Sequence, residues 1–221
     1  MTQRVLVSIA AAAALACGGS SSSGGGTGTK VSVGTGPYAG TYTNGAGVSA
    51  SGSCSAGGFG LTGALVSVGL SSSGADLCQA LAHGVEPASA TAITVSVAKL
   101  NALGQAQQIT PGTYAIVDLT GSLPTPDASG TASLAIASAS KSGTSAGTGQ
   151  GCTTVASEDA ASGTVIISSV TSSRVAGTVN ARLKSTGSLV NGAFDVPLCP
   201  GTFTVGGSCS IEGIPGATSC Q

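Results

Sequence analysis

An alternation of apolar and polar residues towards the C-terminus constrains the fold of this chain most. It is clearest in RVAGTVNARLK and SLVNGAFDVPL, where the residues that share one side are Val175, Gly177, Val179, Ala181, Leu183, Val190, Phe194, Val196 and Leu198. Successive side chains of an extended strand point to opposite faces, so a period of two indicates a strand with one buried face. The short connection 185–188 between the segments predicts two antiparallel neighbours.

Further segments of the same kind predict a mainly β protein. The segment GTVIISSV at 163–170 lies just before the first of these strands and is separated from it by Thr171-Ser172-Ser173, which predicts a three-stranded meander. We also expect strands at 65–70, 112–119, around Ile93, Val95 and Val97, and around Leu134 and Ile136. Together these patterns predict an antiparallel β-sandwich or barrel-like domain of roughly eight to ten strands with one short helix.

The short helix is predicted in SSSGADLCQALAHG. Ser73 is the expected cap, with Asp76 three residues later, and Gly84 is the expected end. One apolar face would contain Leu77, Cys78, Leu81 and Ala82. His83, the single histidine, falls in the last turn, where it complements the helix dipole, and we assign it no catalytic role.

The segment 138–151, SASKSGTSAGTGQG, shows no apolar period and is predicted to be a surface loop. Within it, GTSAG at 143–147 matches the G-x-S-x-G pattern of hydrolase nucleophiles. That pattern requires a turn from strand to helix and a histidine after the serine, whereas His83 precedes Ser145. We therefore expect no serine hydrolase.

Charge is scarce in this chain, which has 7% charged residues, a net charge of −1 and no Trp. No basic surface for nucleic acid or anionic lipid is expected. Sugar sites usually stack aromatic rings on the sugar, and this chain has no Trp. Arg174, Arg182 and Lys184 fall on one strand face that we expect to be solvated; the alternative is that these cations bind an anionic partner.

The carboxylates are dispersed and predict no metal site, cofactor or catalytic pair. They are Asp76, Glu86, Asp118, Asp127, Glu158, Asp159, Asp195 and Glu212. Only Glu158 and Asp159 are adjacent, in a segment that we expect to be a solvated turn before a strand. We expect a protein that is not an enzyme; the alternative is a cell-envelope hydrolase that uses two distant carboxylates.

The N-terminus has the pattern of an export signal. After Arg4, the run from Val5 to Ala16 is apolar and uncharged, and it is shorter than the about 20 residues that a bilayer span needs. It ends in AALAC, which resembles the lipobox of bacterial lipoproteins, although Leu15 lies two residues before the cysteine and Ala14 three. The resemblance implies cleavage before Cys17 and lipid attachment to Cys17.

The residues after Cys17, GGSSSSGGGTGT, have the composition of a flexible tether. Gly18, rather than Asp, follows the cysteine, which favours the outer membrane as the anchoring site. We predict a signal peptide at 1–16, a lipidated cysteine and tether at 17–37, and one β-rich domain at 38–221.

Six further cysteines remain, and an even number in an exported chain predicts three disulfides. They are Cys54, Cys78, Cys152, Cys199, Cys209 and Cys220. Fifteen pairings are possible. We expect neighbours to pair, with Cys209 bonded to Cys220.

The order of LCQAL, GTV and GAFDVPLC resembles small exported bacterial lipoproteins, a resemblance that implies no catalytic residues. The sequence therefore predicts an envelope protein anchored in a membrane through Cys17, with a structural or binding role. Its partner and its oligomeric state are left open.

Overall fold

A computed structural model describes residues 28–56, 59–83, 85–118, 124–147, 151–201, 203–206, 210–212 and 219–220. These residues form fourteen strands and one helix, in the order β1 (Lys30–Val33), β2 (Gly40–Tyr42), β3 (Asn44–Ala56), β4 (Phe59–Ser71), α1 (Leu77–His83), β5 (Val85–Glu86), β6 (Thr91–Asn101), β7 (Gly112–Ala115), β8 (Thr131–Ala146), β9 (Cys152–Val170), β10 (Arg174–Leu183), β11 (Leu189–Pro197), β12 (Thr204–Gly206), β13 (Ser210–Glu212) and β14 (Ser219–Cys220).

Eleven strands follow one another in a continuous sheet, in the order β13-β12-β3-β4-β6-β8-β9-β10-β11-β1-β2. Strand β7 pairs with β9 beside this path, and β14 pairs with β5 separately. The path does not close into a barrel. The predicted mainly β class with one short helix is confirmed, and the meander β9-β10-β11 is confirmed within it. The strand count exceeds eight to ten because strands of two to four residues are too short to show a period.

The long strand β9 divides the sheet into two layers. Its first half pairs with β8 from 152 to 159, and its second half pairs with β10 from 160 to 170. Layer 1 comprises β7, the second half of β9, β10, β11, β1 and β2, and layer 2 comprises β3, β4, β6, β8, β12 and β13. Strand β7 lies where β8 and β9 diverge, since Ile116, which follows it, bridges to Ala135 of β8.

A register shift in β9 between Ala160 and Ser162 keeps its inward side chains buried across this corner. Glu158 and Ala160 are buried before this shift, and Val165 and Ile167 after it, so the inward parity changes from even to odd. Gly163, with φ +138, follows the shift opposite Ala181, and a Cβ there would lie 2.2 Å from the Asn180 carbonyl oxygen. Only glycine fits that position.

The main core lies between the two layers. Layer 2 contributes Val66, Val68, Leu70, Ile93, Val95 and Val97, and layer 1 contributes Val31, Val165, Val175, Val179, Phe194 and Val196. The predicted inward faces of the β6 region, β10 and β11 are therefore confirmed.

The outer face of layer 2 is also buried. Helix α1 lies over β3, where Leu77 packs with Ala46 and Val48. Further along the face, Val205 and Phe203 pack with apolar side chains of β3, β4, β6 and β8, which include Ala50, Leu65, Leu100, Leu134 and Ile136.

The helix starts later than the sequence predicts. Asp76 is its cap, because its Oδ1 accepts hydrogen bonds from the backbone N–H groups of Cys78 at 3.0 Å and Gln79 at 3.1 Å. Ser73, the predicted cap, instead shares a hydrogen bond with the Ser71 hydroxyl. The predicted end at Gly84 lies outside the described residues.

The predicted loop at 138–151 was wrong, because β8 continues to Ala146. Its backbone pairs with β9, with Lys141 opposite Ala156 and Ser142 opposite Thr154. The sequence shows no alternation of apolar and polar residues here, because residues 144–146 at the end of β8 are exposed on both faces. A period of two appears only where one face of a strand is buried.

The predicted pairing of neighbouring cysteines was also wrong. Cys78 bonds to Cys199, and Cys152 bonds to Cys220, at Cα separations of 5.0 and 4.6 Å. The first bond fixes α1 to the segment after β11. The second fixes β14, which runs parallel to β5, against the start of β9. Both bonds join segments that are distant in sequence, and sequence spacing does not report such contacts.

Candidate functional site

The outer face of layer 1 is open to solvent over most of its strands, and we call it the bare face. Cross-strand register arranges it in rows, of which the first contains Thr113, Ile166, Thr178, Ala193 and Lys30. The second row contains Ala115, Thr164, Asn180, Asn191, Ser32 and Thr41. In a third row, Arg182 lies between Ser162 and Leu189. The face thus presents small hydroxyl, amide and methyl groups.

Two large apolar side chains interrupt this polar surface. Ile166 is 45% exposed and Leu189 is 49% exposed. Their cross-strand neighbours include Thr178 and Arg182, respectively. Single exposed apolar residues are ordinary, but these two share one face with the cations Lys30 and Arg182.

Ion pairs lie at the margins of the bare face. Arg174 donates to Asp195 Oδ1 at 2.9 Å, and Lys184 Nζ lies 2.6 Å from Asp118 Oδ2. Arg182 donates to the Gly187 carbonyl at 3.0 Å. Of the three cations predicted to share an exposed strand face, Arg174 and Lys184 are thus each paired with a carboxylate.

A second candidate is the connection between β10 and β11, which Glu158 holds. Its Oε1 accepts hydrogen bonds from the backbone N–H of Ser185, from the backbone N–H of Thr186 at 2.6 Å and from the Thr186 hydroxyl at 3.3 Å. Glu158 is only 9% exposed and lies within β9. The prediction of a solvated turn at Glu158 and Asp159 was therefore wrong, because β9 begins earlier than the apolar pattern indicates.

Other charged and aromatic groups meet the same turn. Lys184 donates its backbone N–H to the Asp159 carbonyl at 2.9 Å, and its ammonium pairs with Asp118. Burial, and then the charge of Glu158, raises the pKa of the Tyr38 phenol. The structure thus brings Asp118, Glu158 and Asp159 to one turn, through contacts that fix its conformation.

A third candidate lies beside the Cys152–Cys220 bond. The Glu86 carboxylate accepts the backbone N–H of Cys152 at 2.8 Å. Burial raises the pKa of Glu86, and this hydrogen bond partly opposes the rise. The adjoining cavity, lined by Glu86, Ser142 and Thr154 among others, has a volume of about 20 Å³, which suffices for one water molecule and for no larger ligand.

The remaining carboxylates and the predicted motifs lie apart from these places. Asp127 accepts hydrogen bonds from Ser129 N at 2.8 Å and Thr131 N at 3.1 Å, and its bonds to these two residues lower its pKa. Ser145 lies in the exposed end of strand β8, not at a turn from strand to helix. His83 occupies the last turn of α1, where the sequence predicted it.

The cysteines divide into described and undescribed positions. Cys17 and Cys209 lie outside the described residues. Cys54 is disulfide-bonded, and its partner is none of the described cysteines, since the other four bond to each other.

Sequence reasoning missed Glu86 and the role of Glu158, because hydrogen bonds to distant backbone groups leave no local pattern. Within the described part of the chain, no three His, Cys, Asp or Glu side chains are arranged to hold a metal ion. No helix among the described residues has the length and apolarity to cross a bilayer.

The layered sheet and its disulfides define a mainly β, disulfide-bonded class of domain. No family model, curated protein or solved structure matches the chain.

Proposed function

We propose that this chain is an exported lipoprotein, anchored in a bacterial membrane through Cys17, whose β domain has a non-catalytic structural or binding role. The observation that carries the proposal is the distribution of its cysteines. Cys54, Cys78, Cys152, Cys199 and Cys220 are all disulfide-bonded, which fits an oxidising compartment outside the cytoplasm.

The disulfide partner of Cys54 provides a direct test of the proposal, because only Cys17 and Cys209 remain as candidates for it. Strand β12 runs parallel to β3, with Thr204 opposite Ser51, three residues before Cys54. Cys209 lies in the sequence between β12 and its return strand β13. This arrangement favours a Cys54–Cys209 bond, which leaves Cys17 free to carry lipid.

The positions of the carboxylates support a non-catalytic role. Asp76 caps α1, Asp118 and Asp195 pair with cations, and Glu158 holds a turn. Glu86 receives a backbone N–H next to a disulfide. Each of these contacts stabilises the fold, and a carboxylate engaged in this way is poorly placed for acid–base chemistry.

The test combines disulfide mapping with lipid labelling in the bacterial host. Peptides from the unreduced protein are expected to contain Cys54 linked to Cys209, and fatty-acid label is expected on Cys17. Cys17→Ala should lose the label and appear in the soluble fraction after a high-salt wash, whereas the matched variant Cys220→Ala should keep the label. A Cys17–Cys54 disulfide would contradict the proposal, and so would membrane retention of Cys17→Ala that survives the high-salt wash.

A further inference from the structure

We infer that the bare face of layer 1 lies against an anionic lipid surface, which makes it a second contact with the membrane to which Cys17 attaches the domain. This inference rests on the proposed function for the identity of the membrane. It adds an orientation and a lipid class, namely membranes that contain anionic phospholipid.

The first argument is that none of the described residues covers this face, whereas described residues cover layer 2. Helix α1, Phe203 and Val205 bury the outer face of layer 2. Over the described residues, Ile166 and Leu189 of the bare face stay about half exposed. Apolar side chains that project from a polar surface can enter the interfacial region of a bilayer, where their burial favours binding.

The second argument is charge. The three rows of the bare face contain two cations, Lys30 and Arg182, and Asp195 lies on the same side one row further along, opposite Ala176. The acids at its margins, Asp195 and Asp118, pair with Arg174 and Lys184. The face is therefore locally positive in a chain of net charge −1. Each cation close to an anionic membrane strengthens binding about fivefold.

Asp159, the exposed acid of β9, lies at one margin of the face, where its backbone carbonyl accepts the Lys184 N–H at 2.9 Å, and it reduces the positive charge there without removing the two cations of the rows. It pairs in register with Ser138 of β8, in the half of β9 that belongs with layer 2. The rows of the bare face start further along β9, at Ser162.

The third argument is where the chain enters the domain. The described chain begins at Gly28 and leads directly into β1, which contributes Lys30 and Ser32 to the bare face. Residues 18–27 separate Cys17 from Gly28, and a segment of that length spans at most about 40 Å when fully extended. A lipid on Cys17 thus keeps β1, which belongs to the bare face, within about 40 Å of the bilayer.

The experiment measures binding of the unlipidated Cys17→Ala chain to vesicles at millimolar lipid by sedimentation. One vesicle population is phosphatidylcholine alone, and the other contains phosphatidylglycerol. We expect binding to the anionic vesicles that weakens with salt. Lys30→Gln with Arg182→Gln should lower the partition coefficient about 30-fold, since each cation contributes about fivefold. Ile166→Ser with Leu189→Ser should lower it on both vesicle types.

Lys99→Gln with Lys141→Gln is the matched control, because it removes the same charge from β6 and β8. It should keep wild-type binding, and circular dichroism should confirm that all variants fold. Equal binding to both vesicle types, or an equal loss in the control, would overturn the inference. Labelling of Cys17 is scored separately, so loss of the label tests the anchor and loss of vesicle binding tests the face.

Discussion

The two layers share one core and differ on their outer faces. On layer 2, the outward side chains Leu65, Leu100 and Leu134 are only 1–5% exposed. On layer 1, outward positions carry exposed groups such as Thr178 and Asn180. The same strand architecture is thus covered on one side and open on the other.

The sequences of the strands already contain this difference. In β6, TAITVSVAKLN, residues 92–98 are all buried, on both faces of the strand. In β10, RVAGTVNARL, burial alternates strictly from Val175 onwards. A strand that is apolar or small on both faces needs cover on both, whereas an alternating strand needs only one partner. The positions of α1 and β12 follow from this need.

The largest effect should come from the disulfide that fixes the cover of layer 2. Cys78→Ala with Cys199→Ala opens a loop of sequence separation 121, which corresponds to a loss of about 5 kcal/mol in the free energy of unfolding. The pair Cys152→Ala with Cys220→Ala, at separation 68, should lose about 4 kcal/mol.

Urea unfolding of both pairs measures these losses, and a fluorescent dye that binds apolar surface reports whether layer 2 opens. We expect increased dye binding only for the Cys78/Cys199 pair, because that bond holds α1 in place. Increased dye binding in both double variants would contradict the expectation that only the Cys78–Cys199 bond holds the cover of layer 2 in place.

The second test compares one apolar side chain on each outer face. Leu134→Ala should lower the free energy of unfolding by about 2–5 kcal/mol, because Leu134 is 1% exposed and its removal leaves a cavity. Ile166→Ala should change it by less than about 1 kcal/mol, because its side chain is already half solvated. Similar losses measured by denaturant unfolding would mean that the bare face is covered in solution.

The alternating strands were predictable because one-sided burial leaves a period of two. Strand β10 and its neighbour β11 show it without interruption, and their register agrees with the short connection between them. The segment 138–146 was not predictable, because only Ala139 within it is buried and its pairing depends on backbone hydrogen bonds, which any residue except proline supplies.

The candidate sites were less predictable than the fold. Glu158 belongs to a strand only because β9 continues through the corner between the layers, and its partners at 185 and 186 come from the next hairpin. Cys152 meets Cys220 because β14 returns beside β5. Both depend on tertiary contacts between distant segments, about which composition and period carry no information.

The third prediction concerns the junction between the two layers. Glu158→Ala removes the acceptor that holds the turn after β10, and we expect a loss of about 1–3 kcal/mol. Asp159→Ala is the matched control, because the Asp159 side chain is exposed and the substitution keeps the backbone carbonyl that accepts the Lys184 N–H. It should change the free energy of unfolding by about 0.5 kcal/mol or less. Equal losses in thermal unfolding would show that the Glu158 hydrogen bonds contribute nothing specific.

The smallest effect should come from Glu86, at the margin of the covered layer. Burial raises its pKa above the usual 4.5, so folding favours the protonated form. The cost of burying the charged carboxylate is absent below the pKa of Glu86 in the unfolded chain and fully present above its pKa in the folded protein. The free energy of unfolding of the wild type therefore falls as pH rises between these two pKa values. Glu86→Gln keeps an acceptor for the Cys152 N–H and removes the charge.

At pH 7 we therefore expect Glu86→Gln to be more stable than the wild type by less than about 1 kcal/mol, since partial solvation screens the charge. Below about pH 4, where the carboxyl is protonated in both states, the two proteins should converge. Unfolding curves across this range measure the difference. A variant that is less stable at neutral pH would show that the hydrogen bond from Cys152 to the charged carboxylate outweighs the cost of its burial, and would place Glu86 among the groups that hold β5 against the start of β9.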